Sequence, residues 1–177
     1  TLIEFLKSEN ERYLAICMIC YYSLLRPDDI IKLRASDFDL KNSVIKIDAS
    51  RTKNDHDSLR VIPEALEPYL KCLDLENQPP NEFLFTGEKF TSGTKNLDAR
   101  KVAKYWANKV RKGCGFGMDL QFYSLKDTGI TNMMADGISA LYVQGQADHH
   151  SIEVTEKYTH KKTPEGFEQI RKLSRKI

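Results

Sequence analysis

An almost continuous apolar run lies near the start of the chain, and it limits the folds that are available. Most positions of the segment Glu11–Leu25 are apolar, which predicts a helix that is buried on most of its sides. The helix must end before Pro27, because the residue that precedes a proline avoids helical geometry. Proline fits the first turn of a second helix, and Asp28 and Asp29 favour the positive end of that helix. The run therefore predicts a buried helix, a corner at Arg26 and a new helix behind it.

One small sheet and several further helices are predicted in the rest of the chain. The β-like runs Val44–Ile47 and Leu59–Ile62 flank a polar stretch, which indicates a β-hairpin with a long loop. Helical patterns cover these later segments: Glu64–Leu75, Asp98–Lys112, Leu125–Ala135, Ser139–Gln146, Ile152–Tyr158 and Pro164–Arg175. The expected fold class is mainly α with a small β-hairpin or sheet (α+β), and 177 residues suit a single domain.

The composition excludes several classes of protein. Because 41% of the residues are hydrophobic and 29% are charged, disordered and collagen-like chains are disfavoured. No apolar run approaches the roughly 20 residues that cross a bilayer, and the first residues lack the regions of a signal peptide. We therefore expect a globular protein of the cytoplasm, with no membrane partner.

The charged residues are distributed unevenly, although the net charge of +2 is too small to indicate a polyanionic partner. Seven basic residues and one acidic residue lie between Lys95 and Lys112, and a second basic block begins at Lys161. Two cationic blocks suit a phosphate-binding surface. Solvated helix faces have the same composition, so the blocks alone leave both interpretations open.

Metal ligation is the minority interpretation of the cysteines and histidines. Cys17 and Cys20 have the spacing of half a zinc site, but no second cysteine pair accompanies them and their surroundings are apolar. His149, His150 and His160 lack the His-Glu-x-x-His pattern of a zinc hydrolase. We expect buried free thiols, no metal and no cofactor.

Five residues that can act on a phosphate group follow one another along the chain in this order: Arg26, Lys53, Lys126, His149 and Tyr158. Singly, each has an ordinary structural explanation, such as a capping cation, a loop charge or a packed ring. Together, from about Tyr13 to His160, they resemble the catalytic domain of the tyrosine recombinase (phage integrase) family. The segment 22–38 is similar to the family's first-arginine motif, with Asp29 in its acidic place. The segment 148–160 resembles the second signature, in which His149 precedes the nucleophilic Tyr158 by nine residues.

Two weaker parts of the resemblance lie between these signatures. The stretch 51–54 is similar to the hairpin that carries the family's lysine, which we assign to Lys53, although a two-residue shift would place Arg51 there. Tyr123 and Lys126 occupy the positions of the histidine and the second arginine in the family's His-x-x-Arg box, and Asp148 replaces a glycine. Lysine gives up the planar fork with which arginine grips two phosphate oxygens, so we expect reduced or altered activity.

The resemblance implies a defined reaction. The Tyr158 hydroxyl would attack a DNA phosphodiester, form a 3'-phosphotyrosyl bond and release a 5'-hydroxyl. Arg26, Lys126 and His149 would offset charge on the phosphate, and Lys53 would protonate the leaving oxygen. Tyr123, in the place of the family's histidine, is a poorer base at neutral pH.

The expected function is that of a site-specific DNA recombinase or integrase of a mobile element. Its partner would be double-stranded DNA in the bacterial cytoplasm or nucleoid, with the protein assembled as a homotetramer on the DNA. The basic side chains expected to contact DNA are Arg51, Lys101, Lys104, Lys109, Arg111 and Lys112. We expect the chain to be a single C-terminal catalytic domain, 1–177, whose N-terminal DNA-binding domain is absent. Two alternatives stay open, namely a recombinase-like DNA-binding module with weakened or lost catalysis, and a helical protein-interaction domain.

Overall fold

The computed structural model of the protein describes residues 1–51 and 57–158. Its α-helices are α1 (Leu2–Glu9), α2 (Glu11–Ser23), α3 (Pro27–Ile30), α4 (Glu67–Leu70), α5 (Ala99–Tyr105), α6 (Arg111–Cys114), α7 (Ser124–Ala135), α8 (Ala140–Ala147) and α9 (Ile152–Glu156). Its strands are β1 (Phe38–Asp39), β2 (Val44–Ile47), β3 (Ser58–Val61), β4 (Phe83–Thr86) and β5 (Thr91–Gly93). Short 3-10 helices span Ala35–Asp37, Ala49–Arg51, Glu64–Leu66 and Lys71–Leu73, and a π-helix spans Trp106–Val110. The predicted mainly α fold class with small antiparallel sheets is confirmed.

The apolar run forms the central helix α2, as predicted. Its residues from Tyr13 to Cys20 are all buried, and α1, α3, α4 and α7 pack against it. The helix ends at Ser23, two residues earlier than expected, because Leu24 adopts the left-handed conformation with φ of 54°. Arg26 then has extended backbone geometry, as expected of a residue that precedes a proline, and Pro27 is the first residue of α3.

A short helix that the sequence analysis did not predict precedes α2. Thr1 caps α1 through a capping box with Glu4, in which each side chain binds the other residue's backbone N–H. Asn10 ends α1 and also caps α2, since its side chain accepts a hydrogen bond from the N–H of Tyr13. Leu6 is buried in the core, so α1 is anchored by packing as well as by its caps.

The predicted hairpin is confirmed as β2 and β3, and β1 adds a third strand to its sheet. All three strands are antiparallel, in the order β1-β2-β3. Strands usually turn their apolar side chains inward and their polar side chains outward. In β3 this alternation is reversed, because Ser58 and Arg60 are buried whereas Leu59 and Val61 are exposed. A second antiparallel pair, β4 and β5, was not predicted.

Several predicted helices are shorter or more divided in the structure. The segment expected to be one helix over 64–75 divides into α4 and two 3-10 helices, with Pro68 near the start of α4. The segment expected to be one helix over 98–112 is interrupted by the π-helix, and its residues Val102, Trp106 and Val110 are buried. The predicted helix Pro164–Arg175 lies outside the described residues.

The four cysteines are free; Cys17 and Cys20 are buried within α2, as expected, whereas Cys72 and Cys114 are only half-buried. Over the described ranges, no group of three or more His, Cys, Asp or Glu side chains is arranged to hold a metal ion. Within the same ranges, none of the helices has both the length and the apolar character needed to cross a membrane.

Candidate active site

Side chains from four parts of the fold meet at the C-terminal end of α2. Arg26 occupies the corner between α2 and α3, and Lys126 lies in the first turn of α7. His149 follows α8, and Tyr158 follows α9. The α7 helix approaches α2 closely because Gly129 has no side chain. A Cβ at that position would lie 2.8 Å from Leu24 Cδ2 and closer still to the carbonyl oxygen of Tyr21.

The Tyr158 phenol is held by two neighbours. Its hydroxyl donates a hydrogen bond to Asp127 Oδ1 at 2.7 Å, and its ring stacks on the His149 ring with centroids 6.3 Å apart. It also packs against the small apolar cluster of Leu24, Ile130, Val143 and Ala147. Burial and the hydrogen bond to Asp127 raise the pKa of Tyr158, so the hydroxyl is protonated at neutral pH.

His149 is a neutral imidazole at neutral pH. Burial lowers its pKa to about 4, and the positive charges of Lys126 and Arg26 act in the same direction. Its Nδ1 lies 2.9 Å from Oγ1 of the buried Thr155, whose hydroxyl can donate to or accept from that nitrogen according to the tautomer. With its proton on Nε2, the neutral His149 offers an anion a hydrogen-bond donor but no positive charge.

Lys126 is a buried cation in the site. Its side chain is 1% exposed, and its ammonium donates a hydrogen bond to the carbonyl oxygen of Ala147 at 2.9 Å. Burial lowers its pKa to about 8, and the neighbouring charges of Arg26 and Arg60 act in the same direction. The ammonium is still mostly charged at neutral pH, so it contributes positive potential to the site from its buried position.

Arg60 and Asp29 complete the group of buried charges. Arg60 is 4% exposed and pairs with Asp148 at 3.5 Å between Nη2 and Oδ2. Asp148 has a φ of 56°, a left-handed conformation that favours glycine, which explains why glycine is usual at this position in the motif. Burial raises the pKa of Asp29, although the charges of Arg26, Lys32, Arg60 and Lys126 act against that effect. The site therefore has more positive than negative charge around Arg26.

Comparisons with known proteins identify the family. The family model described as "Phage integrase family" matches residues 1–165. The chain belongs to this family. It is 26% identical over 175 residues to a "Tyrosine recombinase" of Thermosipho africanus (strain TCF52B), a match that covers 98% of this chain and 58% of that relative. The chain thus spans just over half the length of this curated relative.

Solved structures confirm the fold. The XerA recombinase superimposes with a TM-score of 0.75 at 22% identity, covering 99% of this chain and 62% of the other. The Tn1549 transposon integrase, in complex with circular intermediate DNA, gives a TM-score of 0.68 at 15% identity and covers 93% of this chain and 58% of its own. At these identities the likeness establishes the phage integrase fold alone.

The structure brings most of the predicted site residues of this phage integrase domain together. Arg26, Lys126, His149 and Tyr158 share one site, and Tyr123 lies beside it at the residue that precedes α7. Burial raises the pKa of Tyr123, and the charge of the nearby Arg26 partly offsets the rise. The assigned lysine, Lys53, lies outside the described residues.

The predicted DNA-contacting residues fall into two groups. Arg51 is engaged within the fold, since its guanidinium makes two hydrogen bonds to the carboxylate of Asp37, at 2.8 and 2.5 Å, and fixes the base of the hairpin. Lys101, Lys104 and Lys109 border a cleft with a volume of about 490 Å³ near Asn10, at the opposite end of α2 from Arg26. Arg111 and Lys112 follow in α6.

Three residues of the site were missed from the sequence, namely Asp127, Thr155 and Arg60. Arg60 could have been noticed in the sequence, because it lies between the apolar Leu59 and Val61 in a predicted strand. In a strand whose inward and outward side chains alternate, Arg60 lies on the face opposite to these two. Asp127 and Thr155 gave no such signal. Their roles depend on a contact across 31 residues, between Asp127 and Tyr158, and on the turn geometry after α8.

Proposed function

We propose that this chain is the catalytic domain of a site-specific DNA recombinase that cuts and rejoins DNA through Tyr158. The Tyr158 oxygen attacks a phosphodiester, a bond to phosphorus forms, and the bond from phosphorus to the 5'-oxygen breaks. The product is a 3'-phosphotyrosyl bond and a 5'-hydroxyl. A second 5'-hydroxyl reverses these steps and rejoins the DNA.

The observation that carries this proposal is the position of Tyr158 among positive charges and donors from distant parts of the chain. Its ring stacks on His149, and Arg26 and Lys126 are close enough to lower the pKa of that imidazole. A phosphodiester is anionic and repels a nucleophile, so its transition state requires cations and hydrogen-bond donors placed in advance. The site supplies both beside a tyrosine hydroxyl.

Each residue has a separate part in the proposed reaction. Arg26 is partly exposed, so its guanidinium can contact the nonbridging phosphate oxygens. Lys126 adds positive potential from its buried position, and the neutral His149 donates a hydrogen bond. Lys53 protonates the leaving 5'-oxygen as general acid.

The proposed partner is double-stranded DNA, with the protein assembled as a homotetramer on it. In support, the Tn1549 transposon integrase was solved in complex with circular intermediate DNA. We extend this to the proposal that the natural reaction belongs to a mobile element in the bacterial cytoplasm.

Adduct formation in the presence of EDTA tests the proposal. A library of nicked duplexes with a randomised centre can trap a covalent intermediate whatever the target sequence is. We expect a protein–DNA band that survives denaturing electrophoresis and is absent with Tyr158→Phe. The matched control, Tyr142→Phe, alters an exposed tyrosine of α8 and should keep the band.

A second candidate is a DNA-binding module of recombinase fold whose catalysis is lost. The 1% exposure of Lys126, at the position of the family's second arginine, favours this alternative because a buried ammonium cannot grip phosphate oxygens directly. Binding that weakens with salt, without any covalent band from the unmodified chain, would support the module and overturn the enzyme.

A further inference from the structure

The hydroxyl proton of Tyr158 already has an acceptor in the structure. The distance from the phenol oxygen to Asp127 Oδ1 is 2.7 Å, and a phenol has one proton to donate. Asp127 lies in the first turn of α7, one residue after Lys126, and α7 is fixed against α2 by the close approach at Gly129. The carboxylate is thus held on a rigid element at hydrogen-bond distance from the reacting oxygen.

The other titratable groups beside Tyr158 are poorer acceptors. Lys126 is a cation whose ammonium donates to Ala147. His149 faces the phenol with its ring plane, at an angle of 19° between the rings, and its Nδ1 is engaged by Thr155. Tyr123 is a phenol that burial makes harder to ionise. Among the residues that the structure describes, Asp127 is the group to which the Tyr158 hydroxyl donates.

We propose that Asp127 is the catalytic base that takes the hydroxyl proton of Tyr158 during attack on the phosphodiester, an inference that rests on the proposed function. The Tyr158 O–H bond breaks as the bond from that oxygen to phosphorus forms, and the proton moves to Asp127 Oδ1. The bond from phosphorus to the 5'-oxygen breaks, and that oxygen receives a different proton from the general acid. In the reverse reaction Asp127 returns its proton to the departing phenol.

The relative basicity of the two groups determines when the proton moves. A carboxylate is ordinarily a far weaker base than a phenolate, and burial together with the hydrogen bond to Asp127 raises the pKa of Tyr158 further. Transfer before attack is therefore rare. Once the phenol oxygen begins to bond to phosphorus its proton becomes far more acidic, and a carboxylate already hydrogen-bonded to it can accept the proton in the same step.

The same hydrogen bond has an opposite interpretation, in which Asp127 restrains the phenol and must release it before attack. The two interpretations predict opposite effects of removing the carboxylate. If Asp127 is the base, its loss slows the formation of the adduct. If Asp127 only restrains the phenol, its loss speeds that step, because the hydroxyl is freed and a negative charge is removed from the path of the phosphate.

The experiment measures the single-turnover rate of adduct formation with the nicked-duplex library for Asp127→Asn, Asp127→Glu and Asp127→Ala. We expect Asp127→Asn to reduce the rate about 10² to 10⁴-fold, the usual contribution of a positioned base, and Asp127→Glu to retain part of the rate. Sodium formate or acetate should restore activity to Asp127→Ala but not to Asp127→Asn, whose amide fills the space. Sodium chloride at equal ionic strength is the control for salt.

Asp136→Asn serves as the matched variant, because Asp136 is an exposed carboxylate at the other end of α7. It should react at the unmodified rate. Thermal melting of each variant shows whether its fold is retained, and formate rescue of Asp127→Ala restores a rate only in a folded protein. Equal or faster adduct formation by Asp127→Asn, with an active unmodified chain, overturns the inference. An unmodified chain without any adduct overturns the proposed function itself.

Discussion

At the scale of single residues, the site depends on charges that are unfavourable to bury. Lys126 is the clearest case, since one hydrogen bond to Ala147 accompanies a nearly complete loss of solvent. Burial and the neighbouring arginines lower its pKa to about 8, below the ordinary value of 10.5. The folded protein therefore binds this proton less tightly than the unfolded chain does.

Replacing Lys126 by methionine should change how stability depends on pH. Between about pH 8 and 10.5 the unfolded chain holds more protons at this position than the folded protein, so the free energy of unfolding rises with pH. Between pH 7.5 and 9.5, the free energy of unfolding of the unmodified protein should rise by about 2 kcal/mol relative to that of Lys126→Met. Urea unfolding at the two pH values measures this difference. Lys104→Met, at an exposed position of α5, should show no such pH-dependent difference from the unmodified protein. If the difference in unfolding free energy between Lys126→Met and the unmodified protein did not change with pH, the buried charge of Lys126 would be contradicted.

The sequence predicted Arg26, Lys126, His149 and Tyr158 from the order of motifs, and the structure places them together. It could not predict the burial of Lys126, because a lysine in the first turn of a helix is normally exposed. The contact of Asp127 with Tyr158 was equally hidden, since it requires α7 and the end of α9 to meet in space. Sequence order thus indicated which residues lie together, but not which of them are buried.

At the scale of elements, the position of α7 against α2 controls the site. Gly129 allows this approach, and a side chain there would collide with the backbone of Tyr21. The same helix carries Lys126 and Asp127, so displacement of α7 moves both. The hairpin of β2 and β3 and the first residue of α2, Glu11, were predicted from periodicity and turn residues. The sheet of β4 and β5 was not, because a three-residue strand with Thr91 and Gly93 has no hydrophobic pattern.

Alanine at two glycines should therefore have opposite effects. We expect Gly129→Ala to destabilise the protein by several kcal/mol and to slow adduct formation, because α7 must move away from α2. Gly145→Ala, within the exposed face of α8 where an added Cβ meets nothing within 4 Å, should stabilise the protein by about 0.5 to 1 kcal/mol. Chemical denaturation measures both changes. A neutral effect of Gly129→Ala would contradict the close packing of the two helices.

At the scale of the whole molecule, the site and the lysine-lined cleft lie at opposite ends of α2. A helix of 13 residues is about 20 Å long, a distance that a duplex covers in about six base pairs. A short duplex is long enough to span this distance. Contacts of the cleft lysines would reach the phosphate backbone and would position the duplex without reading its sequence.

Combined replacement of Lys101, Lys104 and Lys109 by glutamine should weaken duplex binding for all sequences alike. Each lost phosphate contact lowers the slope of log affinity against log salt concentration by about 0.9, so the slope should fall by about two to three. Fluorescence anisotropy across a salt series gives the slope. Replacement of Lys7, Lys41 and Lys46, which are exposed on α1, on the turn before β2 and on β2, is the control. An unchanged slope for the cleft variant would remove these lysines from the interface.

The central claim is that a single phenol oxygen, held between Asp127 and His149, becomes esterified to DNA. Peptide mass spectrometry of the trapped adduct, after nuclease digestion of the DNA, measures this directly. We predict a nucleotide attached through its 3'-phosphate to the peptide that contains Tyr158. A nucleotide on any other residue, or a 5'-phosphate linkage at Tyr158, would contradict the account.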